Sequence, residues 1–176
     1  METVKLLFDE VNEIIPGPVT NGFISSISPE LSGQEELNLR NETINILSNC
    51  CPPKSNKSFR NTGLVYGYVQ SGKTLSFTTL CALAKDNKYR IVILFTGIKT
   101  NLLMQTNGRL MDDLKIDDGE NFKLITNPSI EKDHANEIKG ALKLSDKPLI
   151  IITIMKNAKG LENLIKVFND EGLSKD

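Results

Sequence analysis

One stretch of the chain has the residue types and the spacing of a phosphate-binding loop. Gly67-Tyr-Val-Gln-Ser-Gly72-Lys73-Thr74 matches G-x-x-x-x-G-K-[ST], with an apolar segment before it and an amphipathic one after it. Glycines let a loop curl so that its N–H groups converge on phosphate oxygens, and the following helix adds its positive dipole end. Lys73 would bridge the β- and γ-phosphates, and the Thr74 hydroxyl would hold Mg²⁺.

This pattern predicts a site for ATP with Mg²⁺, in which Lys73 is the catalytic residue and Thr74 the metal ligand. The alternative is a structural turn whose glycines serve only its tightness. The predicted nucleotide contacts are Gly67, Val69, Gln70, Ser71, Gly72, Lys73 and Thr74.

Apolar runs alternate with amphipathic segments from Gly63 onwards, which is typical of βα units and a parallel sheet. Strands are predicted at Leu64–Val69, Arg90–Thr96, Phe122–Thr126 and Leu149–Ile154. Two of these runs, IVILF and LIIITI, are continuously apolar, as expected of strands covered by helices on both faces. The fold class predicted is therefore α/β, a parallel sheet with helices on both faces.

Helices are predicted between and after these strands. Their apolar faces are Phe77 with Leu80, Cys81 and Ala84; Leu103 with Leu110, Met111 and Leu114; a segment from Ile130 to Leu144; and Leu161 with Leu164, Ile165 and Phe168.

The amino-terminal part does not show this alternation of apolar runs and amphipathic segments. Val4, Leu7, Phe8 and Val11 have helical spacing, and Pro16-Gly17-Pro18 is predicted to end that helix. A second helix is predicted from about Pro29 to Asn49, with Leu37, Ile44 and Leu47 on one side. We therefore divide the chain into an amino-terminal helical extension, residues 1–58, and a phosphate-loop domain, residues 59–176.

Length, charge and cysteine content narrow the class of protein. The 176 residues suit a compact core, and a net charge of −1 argues against nucleic-acid binding through bulk positive charge. Cys50, Cys51 and Cys81 lack zinc-site spacing and do not resemble a disulfide framework. The first residues lack the features of a secretory signal, and no apolar run is long enough to cross a bilayer. These features predict a soluble, cytoplasmic protein with free thiols and no membrane partner.

Two stretches carry a resemblance to a known family. GLVYGYVQSGKT, from Gly63 to Thr74, and RIVILFTGIKTNLLMQTNGRL, from Arg90 to Leu110, resemble the superfamily II helicase-type ATPase region of bacterial restriction and phage-defence proteins that carry an endonuclease domain. The resemblance covers about residues 62–168, and its most specific parts are VQSGKT and TG-x4-LL-x-QT-x2-RL. It implies a RecA-like fold of the P-loop NTPase class, ATP and Mg²⁺ as cofactors, and DNA as a partner of the intact protein.

The same resemblance implies a set of nucleic-acid contacts, namely Thr96, Gly97, Thr100, Gln105 and Arg109. Loop amides, hydroxyls and one cation would contact the sugar-phosphate backbone without a basic surface. The structural alternative is that Thr96-Gly97 only turns the chain and that Gln105 and Arg109 are solvated helix residues. Lys156 and Lys159 offer a further backbone contact or, alternatively, simple helix-start charges.

Three other groups of residues are given structural roles. His134 is the sole histidine and is predicted near the buried face of its helix. Asp112-Asp113 and Asp117-Asp118 are predicted to form a solvated helix end and turn rather than metal ligands.

Neither apolar strand ends in the acidic pair that an NTPase of this class needs to hold Mg²⁺ and orient the attacking water. IVILF runs into Thr96-Gly97, and LIIITI into Met155-Lys156. The resemblance places the acidic strand just beyond Asp176, with a second lobe and the nuclease domain further on. We therefore expect an incomplete ATPase domain that binds nucleotide but hydrolyses it slowly or not at all, with an unpaired strand edge where the acidic strand would lie.

Two other functions stay open. One is a non-catalytic nucleotide-binding or decoy module, which the missing acidic motif favours. The other is a small P-loop kinase, which would need an arginine-bearing lid, although only Arg90 and Arg109 follow the loop.

Overall fold

The computed structural model describes residues 13–53, 62–64, 73–118, 120–144 and 147–169. Over these residues the protein has an α/β fold with a three-stranded parallel sheet. The helices are α1 (Pro18–Ile27), α2 (Gly33–Ser48), α3 (Lys73–Asp86), α4 (Thr100–Leu114), α5 (His134–Lys143) and α6 (Ala158–Asn169), and the strands are β1 (Ile91–Thr96), β2 (Phe122–Thr126) and β3 (Leu149–Met155). Short 3₁₀ turns lie at Ser28–Glu30, Ile116–Asp118 and Ile130–Lys132.

The sheet has the order β1-β3-β2, so the last strand in the chain is the central one. Ile152 of β3 lies between Ile93 of β1 and Ile125 of β2. All residues of β3 from Leu149 to Ile154 are buried, which explains why this strand is continuously apolar. The three predicted strands that fall in the described residues are confirmed to within one residue at each end, whereas Leu64–Val69 lies outside them apart from Leu64.

Helices cover both faces of the sheet, as predicted. One core contains buried side chains of α1, α2, α3 and α4 together with Leu149 and Ile151 of β3. The other contains side chains of α5 and α6 with Ile150, Ile152 and Ile154. The described part of the amino-terminal segment therefore shares a core with the sheet.

A helix that was not predicted, α1, begins at Pro18, directly after the segment expected to end the leading helix. Proline suits the first helical position, since its fixed φ matches a helix and its missing N–H would have no partner there. The Asp86 carboxylate accepts hydrogen bonds from the N–H groups of Gly17, Val19 and Thr20, and so caps α1 from the end of α3. The predicted helix around Val4–Val11 lies outside the described residues.

The second predicted helix starts later than expected. Ser32 and Glu35 form a reciprocal capping box, so α2 begins at Gly33 rather than near Pro29. Its buried face is Leu39, Thr43 and Leu47, whereas Leu37 is 51% exposed. The predicted face was therefore wrong at Leu37, which lies about 200° around the helix from Leu39.

The last two helices agree with the predicted positions but differ in detail. The segment predicted as one helix from Ile130 to Leu144 is divided at Asp133, whose φ is 56°, into a 3₁₀ turn and α5. In α6 Leu164 is buried as predicted, but Leu161 is 40% and Ile165 58% exposed. The apolar stripe of α6 is therefore wider than the surface it packs against. Within the described residues, no helix combines the length and apolar character needed to cross a membrane.

Candidate functional site

The helix that follows the phosphate-loop motif begins at Lys73. The chain is helical after the motif, as predicted, whereas the loop itself lies outside the described residues. Gly67, Val69, Gln70, Ser71 and Gly72 lie outside the described residues, as do the side chains of Lys73 and Thr74. The predicted nucleotide contacts of these seven residues therefore stay predictions.

The first turn of α3 lies at the carboxyl edge of the sheet. Near the other end of α3, Lys85 Nζ donates a hydrogen bond of 2.9 Å to the carbonyl of Lys147, two residues before β3 begins. Lys73 precedes Lys85 by roughly 18 Å along the helix axis, which is close to the length of a seven-residue strand. The chain thus enters α3 at the edge where β1 and β3 end.

The loops that follow β1 and β3 are bonded to each other at this edge. Thr96 Oγ1 donates to the carbonyl of Ile154 over 3.1 Å, and the Lys156 N–H donates to the carbonyl of Gly97 over 3.4 Å. These bonds fix the spacing of the two loops.

Asn127 ties the loop after β2 to the same edge. Its N–H donates to the Thr153 carbonyl over 2.8 Å, and its Oδ1 accepts from the Met155 N–H over 3.1 Å. Its φ of 45° is left-handed, a conformation in which asparagine is enriched. The sequence analysis missed Asn127, although an asparagine between an apolar strand and a proline is a turn signal.

Thr96 and Gly97 have structural roles that explain why a threonine and a glycine occur at these positions. The Thr96 hydroxyl is used in the bond to β3. A Cβ at Gly97 would overlap Cδ1 of Leu102, so a larger residue there would force the half-exposed Leu102 side chain to move. Thr100, the first residue of α4, is exposed, with its Oγ1 3.9 Å from Met155 Sδ. Of these three residues, Thr100 is best placed to contact a ligand.

Gln105 and Arg109 lie apart from this edge. They are one turn apart on the exposed side of α4, away from the buried Leu103 and Leu110. Arg109 lies roughly 13 Å along the helix from Thr100. The structure therefore brings together Thr96, Gly97 and Thr100 but does not bring Gln105 and Arg109 to them.

Exposed lysines surround the carboxyl edge. Lys99 precedes α4 and forms no side-chain cap, while Lys156 and Lys159 flank the start of α6. Asn157 Oδ1 caps α6 by accepting from the Gly160 N–H over 2.8 Å. Two helix amino termini and three cations thus meet at one edge, which favours anions. The sequence analysis missed Lys99 and Asn157.

The aspartates considered as metal ligands lie at the opposite, amino edge. Asp112 and Asp113 are near the end of α4, and Asp117 and Asp118 are in the 3₁₀ turn that leads to β2. Asp113 Oδ2 accepts a long hydrogen bond of 3.5 Å from the hydroxyl of Thr78, in the second turn of α3. Within the described ranges, no cluster of three or more His, Cys, Asp or Glu residues could hold a metal ion.

His134 and Cys81 have structural environments. His134 is half-buried at the start of α5, where its Nδ1 accepts from the Ser129 N–H over 3.0 Å, while its Nε2 lies 3.9 Å from Glu137 Oε2. Cys81 is buried in the core under α3, and that burial raises the pKa of its thiol to about 12.

The described residues thus define an α/β protein whose parallel sheet presents bonded loops, helix starts and lysines at its carboxyl edge, the edge where such folds bind ligands. Comparison with models of protein families, with curated proteins and with solved structures found no match to this chain.

Proposed function

We propose that this chain is the ATP-binding, amino-terminal part of a helicase-like, nucleic-acid-dependent ATPase of a restriction or phage-defence endonuclease system. One observation carries the proposal: the chain that follows Gly67–Gly72 is helical from Lys73 to Asp86, and this helix packs in one core with a parallel sheet. At the start of such a helix, a loop of that pattern delivers backbone N–H groups and a lysine to phosphates. The proposed fold is accordingly a P-loop NTPase fold of the RecA-like type.

The same edge supports a local contact with a nucleic-acid backbone. Thr100, Lys99, Lys156 and Lys159 are exposed there, and lysines, hydroxyls and helix amino termini are common phosphate ligands. A net charge of −1 leaves no bulk attraction for DNA, so binding would rest on this edge. Gln105 and Arg109 would extend the contact only if the strand ran along α4.

Hydrolysis needs a carboxylate that β1, β2 and β3 do not supply at their ends, which are Thr96, Thr126 and Met155. The topology indicates where it would enter. The connection from β1 to β2 runs through α4 on one face of the sheet, and the connection from β2 to β3 runs through α5 on the other face. Because the two connections also run in opposite directions across the sheet, they have the same handedness. A strand that followed α6, which lies on the α5 face, would with that hand reach the outer edge of β1.

The outer edge of β1 has the properties of a surface that accepts a strand. Among the described strands, β1 pairs with β3 alone. Its residues from Ile91 to Leu94 are only half-buried, unlike those of β3, and Phe95 is 50% exposed. By the same handedness rule, the segment that leads into α3 comes from the outer side of β1. An acidic strand at this edge would therefore lie on the same side of β1 as that segment.

The test is a binding titration with a non-hydrolysable ATP analogue and Mg²⁺, followed by an ATPase assay with and without single-stranded DNA. The wild-type chain is compared with Lys73→Ala and with Lys166→Ala, which removes an exposed lysine of α6. We expect binding that Lys73→Ala abolishes and Lys166→Ala preserves, with little turnover. Binding that is unaffected by Lys73→Ala would overturn the proposal.

The ends of β1, β2 and β3 also favour a second candidate, a nucleotide-binding module without catalysis. Adding DNA distinguishes the two. If the chain is part of a helicase-like ATPase, its affinity for nucleotide should change when DNA is added. If it is a nucleotide-binding module without catalysis, it should bind nucleotide equally well with and without DNA.

A further inference from the structure

A cavity of 350 Å³ lies between α1 and the junction of α4 with β2. It is lined by residues of α1, the end of α4 and the start of β2, and it takes no part in the function proposed above. Its volume falls within the usual range for small-molecule pockets, about 300–1,000 Å³.

Most of the cavity wall is apolar. Val19 and Phe23 contribute from α1, Leu114 from the end of α4 and Phe122 from the start of β2. Phe23 and Phe122 are each 6% exposed, so they belong to the packed core and form a fixed surface. Such a wall favours an apolar body in a ligand.

Asp113 places a carboxylate in this apolar wall. The hydroxyl of Thr78 donates to its Oδ2 over 3.5 Å, which is long for such a bond. Burial raises the pKa of Asp113, and the charges of Asp112 and Glu30 add to that rise, opposed by the Thr78 bond and by Arg109. The carboxylate is therefore partly desolvated, and two acidic residues and one basic residue act on its charge.

Two further features favour a cation at this point. Asp113 is in the last turn of α4, where the helix dipole is negative. Lys115 is exposed at the rim, and within the described residues it forms no ion pair with Asp113. The cavity thus combines a mostly apolar wall with the carboxylate of Asp113, to which Lys115 is not ion-paired.

Gly22 keeps the α1 side of the cavity open. It lies in the interior of α1, where glycine is less stable than alanine by about 1 kcal/mol. A Cβ built on Gly22 would meet nothing within 4 Å, so packing does not require glycine there. A side chain at this position would instead narrow the cavity that Gly22 lines.

We propose that this cavity binds a small primary alkylammonium ion, with its apolar stem against Val19, Phe23 and Phe122 and its ammonium group at the Asp113 carboxylate. An ammonium ion supplies three donors to a carboxylate that accepts one long hydrogen bond from Thr78. Charge complementarity with Asp113 sets the ligand class, in a mostly apolar site that Ser26, Lys115 and Asn121 also line.

The experiment uses the full chain with three probes of equal chain length: n-hexylammonium, 1-hexanol and hexanoate. Amide chemical shifts of residues in α1 and at the start of β2 are followed by NMR at neutral pH. We expect saturable shifts with hexylammonium, affinity for hexanol about tenfold weaker, and no binding of hexanoate. Equal affinity for the three probes, or no saturable shift with hexylammonium, would overturn the proposal.

Three variants locate the site. Asp113→Asn should reduce hexylammonium affinity to that of hexanol, whereas Asp112→Asn, a change at the exposed neighbouring residue, should leave the preference intact. Gly22→Leu should abolish binding of both probes, since a leucine side chain at this lining position would occupy the cavity. Unchanged spectra elsewhere establish that each variant is folded. If Asp113→Asn still bound hexylammonium more tightly than hexanol, the assignment of Asp113 as the ammonium-binding group would be wrong.

Discussion

Asp86 Oδ2 accepts two hydrogen bonds from Thr20, one of 2.8 Å from its N–H and one of 2.6 Å from its hydroxyl. Gly17 and Val19 donate further backbone bonds to the same carboxylate. Next to it, Asn87 Nδ2 donates to the Ile15 carbonyl, and its Oδ1 accepts from the Ile15 N–H. The end of α3 therefore holds the start of α1, although no side chain of its own segment caps that helix.

Asp86→Ala should lower the free energy of unfolding by about 2–4 kcal/mol, because it removes a cap and leaves several donors without an acceptor. Urea denaturation followed by circular dichroism measures this change. Asp117→Ala, at an exposed aspartate, is the control and should change stability by less than about 0.5 kcal/mol. An equal effect of the two substitutions would show that the cap contributes little.

Gly97→Ala should destabilise the protein by about 0.5–1 kcal/mol, because the new methyl group overlaps Cδ1 of Leu102 and forces this half-exposed side chain out of its preferred rotamer. Leu102→Ala in the same chain should recover most of that loss, and the double-mutant cycle measures the coupling. Gly108→Ala is the matched control in α4: its Cβ would meet nothing within 4 Å, and it should stabilise by about 0.5–1 kcal/mol. Additive effects at Gly97 and Leu102 would contradict the steric explanation.

Asp113→Asn should raise the melting temperature at neutral pH and have little effect near the pKa of an unfolded aspartate, about 3.9. A carboxyl whose pKa is raised by folding favours the native state below its unfolded pKa, and this stabilisation is lost as pH rises through the folded pKa. The charged groups that act on it are Asp112, Glu30 and Arg109. Melting curves of both proteins across this pH range test the sign, and a destabilised variant at neutral pH would refute it.

Cys81 should resist alkylation in the native protein, since its thiol is buried and its raised pKa of about 12 leaves almost no thiolate. Iodoacetamide labelling at mildly alkaline pH, read by mass spectrometry, should modify Cys81 only as fast as the protein opens. Cys50 is exposed and serves as the internal reference, although burial of its sulfur and the charge of Cys51 raise its pKa. Equal labelling of Cys81 and Cys50 in the native state would show that the core under α3 is open.

The sequence predicted the described strands well because their signal is local. The runs around Ile91–Thr96 and Leu149–Met155 are apolar at successive positions, as strands covered on both faces require. The helix α1 was not predicted, because the residue that caps it, Asp86, is 66 positions away from Thr20. No local pattern contains that contact.

Part of the candidate site could also be predicted, because that part depends on local sequence patterns. The motif ending at Lys73 and the position of Thr100 depend on strand and helix order, which the pattern supplies. Asn127 and Lys99 act through contacts and proximity between loops that are distant in the chain. The separation of Gln105 and Arg109 from Thr100 depends on how α4 lies against the sheet.

The position of β3 at the centre of the sheet has a consequence for how the chain folds. Within the described residues, β1 and β2 each pair with β3 and not with each other, so these two pairings cannot form until Leu149–Met155 has been synthesised. At about 5–20 residues per second, β1 would emerge several seconds before β3. During that interval IVILFT lacks its pairing with β3, and an apolar segment without that pairing favours aggregation and chaperone binding of the nascent chain.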